Sequence, residues 1–151
     1  MKKLYKTYLD FKKISETQKK RELLISISRR RQKEEEIYIL ESEKSKTYSE
    51  LEKKLMEEGV SPLYVSQFLN YINGLRDEKK KKEQELINFI RQEEEMRQQY
   101  IESKKEADLA EKLYNKVLAN EINLLNKKQE KIADEIMLIK KAFSEEEGKN
   151  E

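Results

Sequence analysis

Clustered carboxylates are the first residues in this chain that could do chemistry. Glu34-Glu35-Glu36 and Glu93-Glu94-Glu95 set acids side by side, the raw material of a general acid–base pair. The basic runs Arg29-Arg30-Arg31 and Lys79-Lys80-Lys81-Lys82 could hold an acidic partner. Neither set has the company that catalysis needs. The chain contains no His and no Cys, which excludes Ser-His and Cys-His nucleophilic pairs, disulfides and the common zinc sites. It contains three glycines and no glycine-rich phosphate loop. On a helix, consecutive like charges fan out around the axis, so these runs cover solvated faces and converge on nothing. With no pocket to raise a carboxylate pKa, the sequence reads as a non-enzyme without cofactor or metal.

The elements that carry these residues follow from composition. Of the 151 residues, 42% are charged and only 36% hydrophobic, too little for a thick globular core but enough for a narrow seam between helices. The 33 basic and 31 acidic residues nearly cancel, which argues against nucleic acid as a partner. No stretch approaches the roughly 18 apolar residues of a membrane span, and Met1-Lys2-Lys3-Leu4 is followed by no signal-like apolar run. One punctuation mark divides the chain, Gly59-Val60-Ser61-Pro62, where the lone proline follows a glycine by three residues. Gly59 suits a helix stop, Ser61 a cap, and Pro62 a first helical turn. The predicted fold is all-α, a two-helix antiparallel coiled-coil hairpin with a longer second helix. It is a single coiled-coil domain over 1–151: arm one about 3–58, turn 59–61, arm two about 62–143, and a fraying polar tail 144–151.

Heptad spacing predicts the seam. In arm one, Leu4, Phe11, Gln18, Ile25, Gln32 and Ile39 recur every seven residues, with Ile14, Arg21, Ser28 and Glu35 three behind. In arm two, Leu75, Lys82, Phe89, Met96, Ser103, Ala110, Val117 and Leu124 recur likewise. Ile72, Lys79, Leu86, Tyr100, Ala107 and Tyr114 lie three ahead of members of that series. Centring the turn near residues 60 and 61 pairs Phe11 with Ala110, Ile14 with Ala107, Gln18 with Ser103, Ile25 with Met96 and Leu4 with Val117. Polar residues on these stripes describe either imperfect heptads in a thin, partly solvated seam or a deliberately flexible one.

Two places carry apolar residues beyond what the seam needs. In this register arm one reaches no further than about Asn120, yet a stripe continues through Leu118, Ile122, Leu125, Ile132, Ile136, Ile139 and Phe143. It changes phase by a stutter, the eleven-residue step from Ala107 to Leu118. Such a stripe is an interaction surface or the place where a second copy pairs. Just after the turn, Leu63, Tyr64, Val65, Phe68, Leu69, Tyr71, Ile72 and Leu75 exceed what one helix covers. Leu63, Ile72 and Leu75 are expected to pack across the hairpin on residues such as Tyr48, Leu51, Leu55 and Met56. At least one of Phe68, Leu69 and Tyr71 is expected in solvent. Gly74, inside this helix, either admits another chain closely or is tolerated near the tip.

This layout resembles the FliJ family, the small cytoplasmic stalk proteins of the flagellar type III export apparatus. The resemblance rests on length, a short first arm, a turn near residue 60 and an overhanging second arm. More specifically it rests on Gln67-Phe68-Leu69 with Ile72 and Leu75, and on Lys131-Ile132-Ala133-Asp134-Glu135 near the C-terminus. It implies a likeness to the rotor stalk of rotary ATPases, with both termini inserted into a hexameric export ATPase of the FliI kind. The overhang residues Ile122, Leu125, Ile132, Ile136 and Ile139 would then meet the ATPase ring. It also implies contact with an export gate of the FlhA kind and with export chaperones. The family's gate-facing surface has helical spacing 4, 3, 4, which falls here on Phe68, Ile72, Leu75 and Lys79, the last a lysine. The implied protein is a non-enzymatic coupling stalk, a monomer or weak dimer when alone. It would be cytoplasmic and peripheral to the inner membrane at the flagellar base, held there through partners. The alternatives are the stalk of a virulence secretion system, a rotary ATPase central-stalk subunit, and a generic dimeric coiled-coil scaffold.

Overall fold

The computed structural model describes residues 1–57 and 59–149. Helix α1 runs over Lys2–Met56 (55 residues) and helix α2 over Pro62–Lys149 (88 residues), packed against each other as an all-α hairpin. Among the described residues there is no strand. The expected end of arm one at Glu58 and the last two tail residues lie outside the described residues.

The turn is built as its residues dictate. Gly59 sits at φ +93°, a conformation that costs a side-chain-bearing residue steric strain. The Tyr64 amide donates to both the carbonyl (3.1 Å) and the hydroxyl (3.3 Å) of Ser61, and the Val65 amide donates to the Ser61 carbonyl at 3.2 Å. Ser61 thus caps α2, and Pro62 occupies the first turn, where its missing amide hydrogen costs nothing. At the other end α2 continues past Phe143 to Lys149, so the tail through Lys149 is helical. Ser144-Glu145-Glu146-Glu147 contains no breaker, and glutamate is a good helix former.

Two compact units make up the chain. One comprises Met1–Ser15 with Lys104–Glu151; the other is Glu16–Ser103. In the first, Leu9 of α1 and Ala107 and Ala110 of α2 are buried, and Lys12 reaches Glu106 at 2.8 Å. In the second, Leu40 and Leu51 of α1 and Ile72 and Leu75 of α2 are buried.

Helix α2 faces its partner with the expected stripe. Every member of both predicted series from Ile72 to Val117 is buried or half-buried, and Glu93 fills the remaining place. Helix α1 does not follow its expected stripe. Leu4, Phe11, Ile14, Gln18 and Ile25 are exposed, Phe11 at 63%, so the seam pairs expected of them with Val117, Ala110, Ala107, Ser103 and Met96 do not form, and Ile39 is exposed as well. The inward face is displaced from the expected series by one residue. It holds Tyr5, Lys12, Lys19, Ser26, Lys33, Leu40 and Thr47, interleaved with Leu9, Leu23, Arg30, Ile37 and Leu51.

The reason lies beside the turn. Continued past Ile39, the expected stripe meets Ser42, Lys46, Ser49 and Lys53, none of which can cover Ile72 or Leu75. The displaced stripe offers Leu40, Thr47 and Leu51 there, and it runs back along α1 to Tyr5 without a stutter. Burying a leucine or isoleucine contributes about 1.5–3 kcal/mol, so the tip decides the face.

Lysine is tolerated on this face because its aliphatic stem packs while its ammonium reaches out. Lys33 donates to Glu85 at 2.7 Å and Glu36 at 3.0 Å, and Lys82 also reaches Glu36 at 3.0 Å. The two ammonium groups hold the Glu36 carboxyl below the usual carboxylate value, Lys82 foremost. The Lys12 and Lys33 ammonium groups are raised, chiefly by hydrogen bonds to Glu106 and Glu85 respectively. Glu93, a buried carboxylate, accepts from Arg30 and from Arg97 at 3.1 Å, which satisfies a group that would otherwise be costly to desolvate.

Candidate functional site

Near the turn, the first segment of α2 stacks its aromatic residues. The Tyr64 and Phe68 rings lie 4.8 Å apart with planes inclined at 58°. Lys54 of α1 hydrogen-bonds the Tyr64 hydroxyl and holds its ammonium 4.4 Å from the Tyr64 ring centre and 5.7 Å from that of Phe68. Phe68 is therefore half-buried, with one face taken by its own helix and a cation over the ring.

The four residues at spacing 4, 3, 4 do share one face of α2, and that face is turned toward α1. Ile72 is 1% exposed and Leu75 6%, so the hairpin has already taken both side chains. Lys79 is half-buried and paired with Glu41 and, at 3.7 Å, with Glu83. The Glu41 carboxylate raises the Lys79 ammonium, and Lys79 lowers Glu41 in return. Only Phe68 of the four retains an accessible apolar surface. What lies open beside it is Leu69 and Tyr71, as the crowding of this segment requires. Leu63, expected to pack across the hairpin, is 70% exposed, and Leu55 and Met56 are exposed as well. Thr47, Glu50, Gln67, Phe68 and Tyr71 line a shallow groove between the two helices. The Tyr71 hydroxyl donates to Glu43, which raises the phenol. Lys54 and Glu43 carry no heptad or motif signal, and only the register brings them to the aromatics. A Cβ at Gly74 would meet nothing within 4 Å, so hairpin packing does not require that glycine.

The second uncovered face is the overhang. Lys2 approaches Glu121 at 4.0 Å, and Glu121 is the last half-buried residue of α2 through Gly148. From Ile122 to Gly148 every residue is exposed. Ile122, Leu125, Ile132, Ile136 and Ile139 are each between 48% and 58% exposed, with Phe143 at the end of the same stripe. A third apolar surface has no sequence forecast, because heptad spacing puts Leu4, Phe11 and Ile14 on the seam and leaves Tyr8 alone. Leu4, Tyr8, Phe11 and Ile14 lie on the outside of α1.

All three are exposed apolar surfaces of the kind that suits contact with a partner. Among the described residues no group of three or more His, Cys, Asp or Glu side chains could hold a metal ion. Among the same residues no helix is long and apolar enough to cross a membrane. The family model for flagellar FliJ protein matches residues 1–145 of the chain. No curated protein and no solved structure matches it.

Proposed function

Since this chain belongs to the flagellar FliJ protein family, we propose that, as a flagellar export-related coiled coil, it serves as the coupling stalk of the type III export apparatus. The observation that carries this reading is the bare overhang. A helix that continues well past its partner, with an apolar stripe along it, is built to enter something. The overhang residues Ile122, Leu125, Ile132, Ile136 and Ile139 meet the hexameric export ATPase. The turn end meets the export gate. Phe68 supplies that contact with its open neighbours Leu69 and Tyr71, while Ile72 and Leu75 support it from inside the seam and Lys79 fixes α2 to Glu41. Chaperones dock on the remaining apolar surface of α1. The protein acts in the cytoplasm, without catalysis of its own, and stays at the membrane through its partners.

The test is a binding titration of the full-length protein with the purified ATPase. Ile132→Asp with Ile136→Asp is expected to weaken binding at least tenfold, about 1.4 kcal/mol, with the hairpin melting temperature unchanged. Phe68→Ala is expected to weaken gate binding and leave ATPase binding intact. Unchanged ATPase affinity in the Ile132/Ile136 variant would remove the overhang from the coupling role.

A further inference from the structure

The overhang stripe is more regular than a surface for an arbitrary apolar partner needs to be. From Leu118 to Phe143 its members alternate in steps of four and three through eight positions, of which seven are apolar and one is Gln129. A sustained 3.5-residue period is the signature of a seam against another supercoiling helix. The phase shift that creates it falls at Tyr114 and Leu118, just before α1 runs out at Lys2 and Glu121. The stripe leaves the intramolecular phase where the intramolecular partner ends.

We infer that the stripe is the seam of a homodimer, with a second copy of this chain lying parallel and in register. Gln129 fixes the orientation. In a parallel pair it faces the second copy's Gln129, and each amide has both a donor and an acceptor to offer the other. In an antiparallel pair with all eight positions matched it faces Ile132, and a buried amide without a partner is costly. The flanking charges agree. Glu135 lies beside the second copy's Lys140, and symmetry makes two such pairs. The equivalent flanks, Glu121 with Asn126 and Lys128 with Ala133, contain no like-charge contact. Because the same stripe is proposed for the ATPase, self-pairing withholds it until a ring competes for it.

Sedimentation equilibrium of the full-length protein, alone, is expected to show a dimer fraction that rises with concentration. Ile132→Asp should raise the dissociation constant at least tenfold, and Gln129→Leu should lower it. The chain has no cysteine, so a single Leu125→Cys reports orientation without background. In the parallel dimer the two sulfurs share a layer and oxidise to a disulfide-linked pair. In the antiparallel one they lie about 16 Å apart, beyond disulfide reach. A monomer at all concentrations, a dimer indifferent to Ile132→Asp, or a dimer in which Leu125→Cys does not cross-link would each overturn the proposal. A monomer that still binds the ATPase defeats the dimer alone; a dimer that ignores the ATPase defeats the coupling reading alone.

Discussion

The two helices of the hairpin follow one heptad rule with opposite materials. Helix α2 turns Ile72, Leu75, Ala107 and Ala110 inward and keeps most of its charges out, the twice-paired Glu93, the lysines at 79 and 82 and Glu121 apart. Helix α1 turns lysine stems inward at 12, 19 and 33 and leaves Leu4, Phe11, Ile25 and Ile39 outside. The lesson is that a seam is chosen where it is forced, beside the short turn, and then propagated. Local apolar content further along has no vote once the phase is set.

Ile72→Ala strikes the place where the phase is set. It should cost about 2–5 kcal/mol in a denaturant melt, the range for emptying a packed site. A loss under about 1 kcal/mol would mean that the tip does not decide the face.

The ion pairs along the seam should appear as a pH profile. Glu36 and Glu41 titrate below the ordinary 4.5, so their contribution is present above that value and is lost as pH falls through the folded value. Lys12, Lys33 and Lys79 titrate above the ordinary 10.5, so theirs is present below it and is lost as pH rises through the folded value. Melting temperature should therefore hold a plateau at neutral pH and fall on both sides. A profile flat into strong acid would show that these pairs do not matter to the seam.

The smallest effect belongs to Phe11→Ala. An exposed ring on the outer stripe should change stability by less than about 0.5 kcal/mol. A loss of about 3–5 kcal/mol would reverse the two stripes of α1.

Much of this was legible in the residues. Gly59, Ser61 and Pro62 specify the turn through conformational preferences that need no tertiary context. The stripe of α2 was legible because its best apolar positions are also its inward ones. The stripe of α1 was not. Two series one residue apart compete there, and the apolar one is longer to the eye but empty beyond Ile39. The partner that decides between them, the Ile72–Leu75 pair, lies on the other helix. The packing of Ile72 and Leu75 across the hairpin was legible, but Leu63 stays in solvent and Lys54 meets Phe68 only through the fold. The overhang was readable because it depends on a difference in arm length and not on phase.

That difference in length gives the chain two clocks. Past Glu121 the backbone of α2 hydrogen-bonds only within itself, and a lone helix of this size opens on its own, over about a microsecond or less. Amides beside Ile72 must wait for the whole hairpin to come apart. Deuterium uptake should therefore be rapid along Ile122–Lys149 and slow near the turn while the stripe stays bare. Whatever seats the stripe will announce itself as protection spreading toward the C-terminus, so the helix end reports its own occupancy.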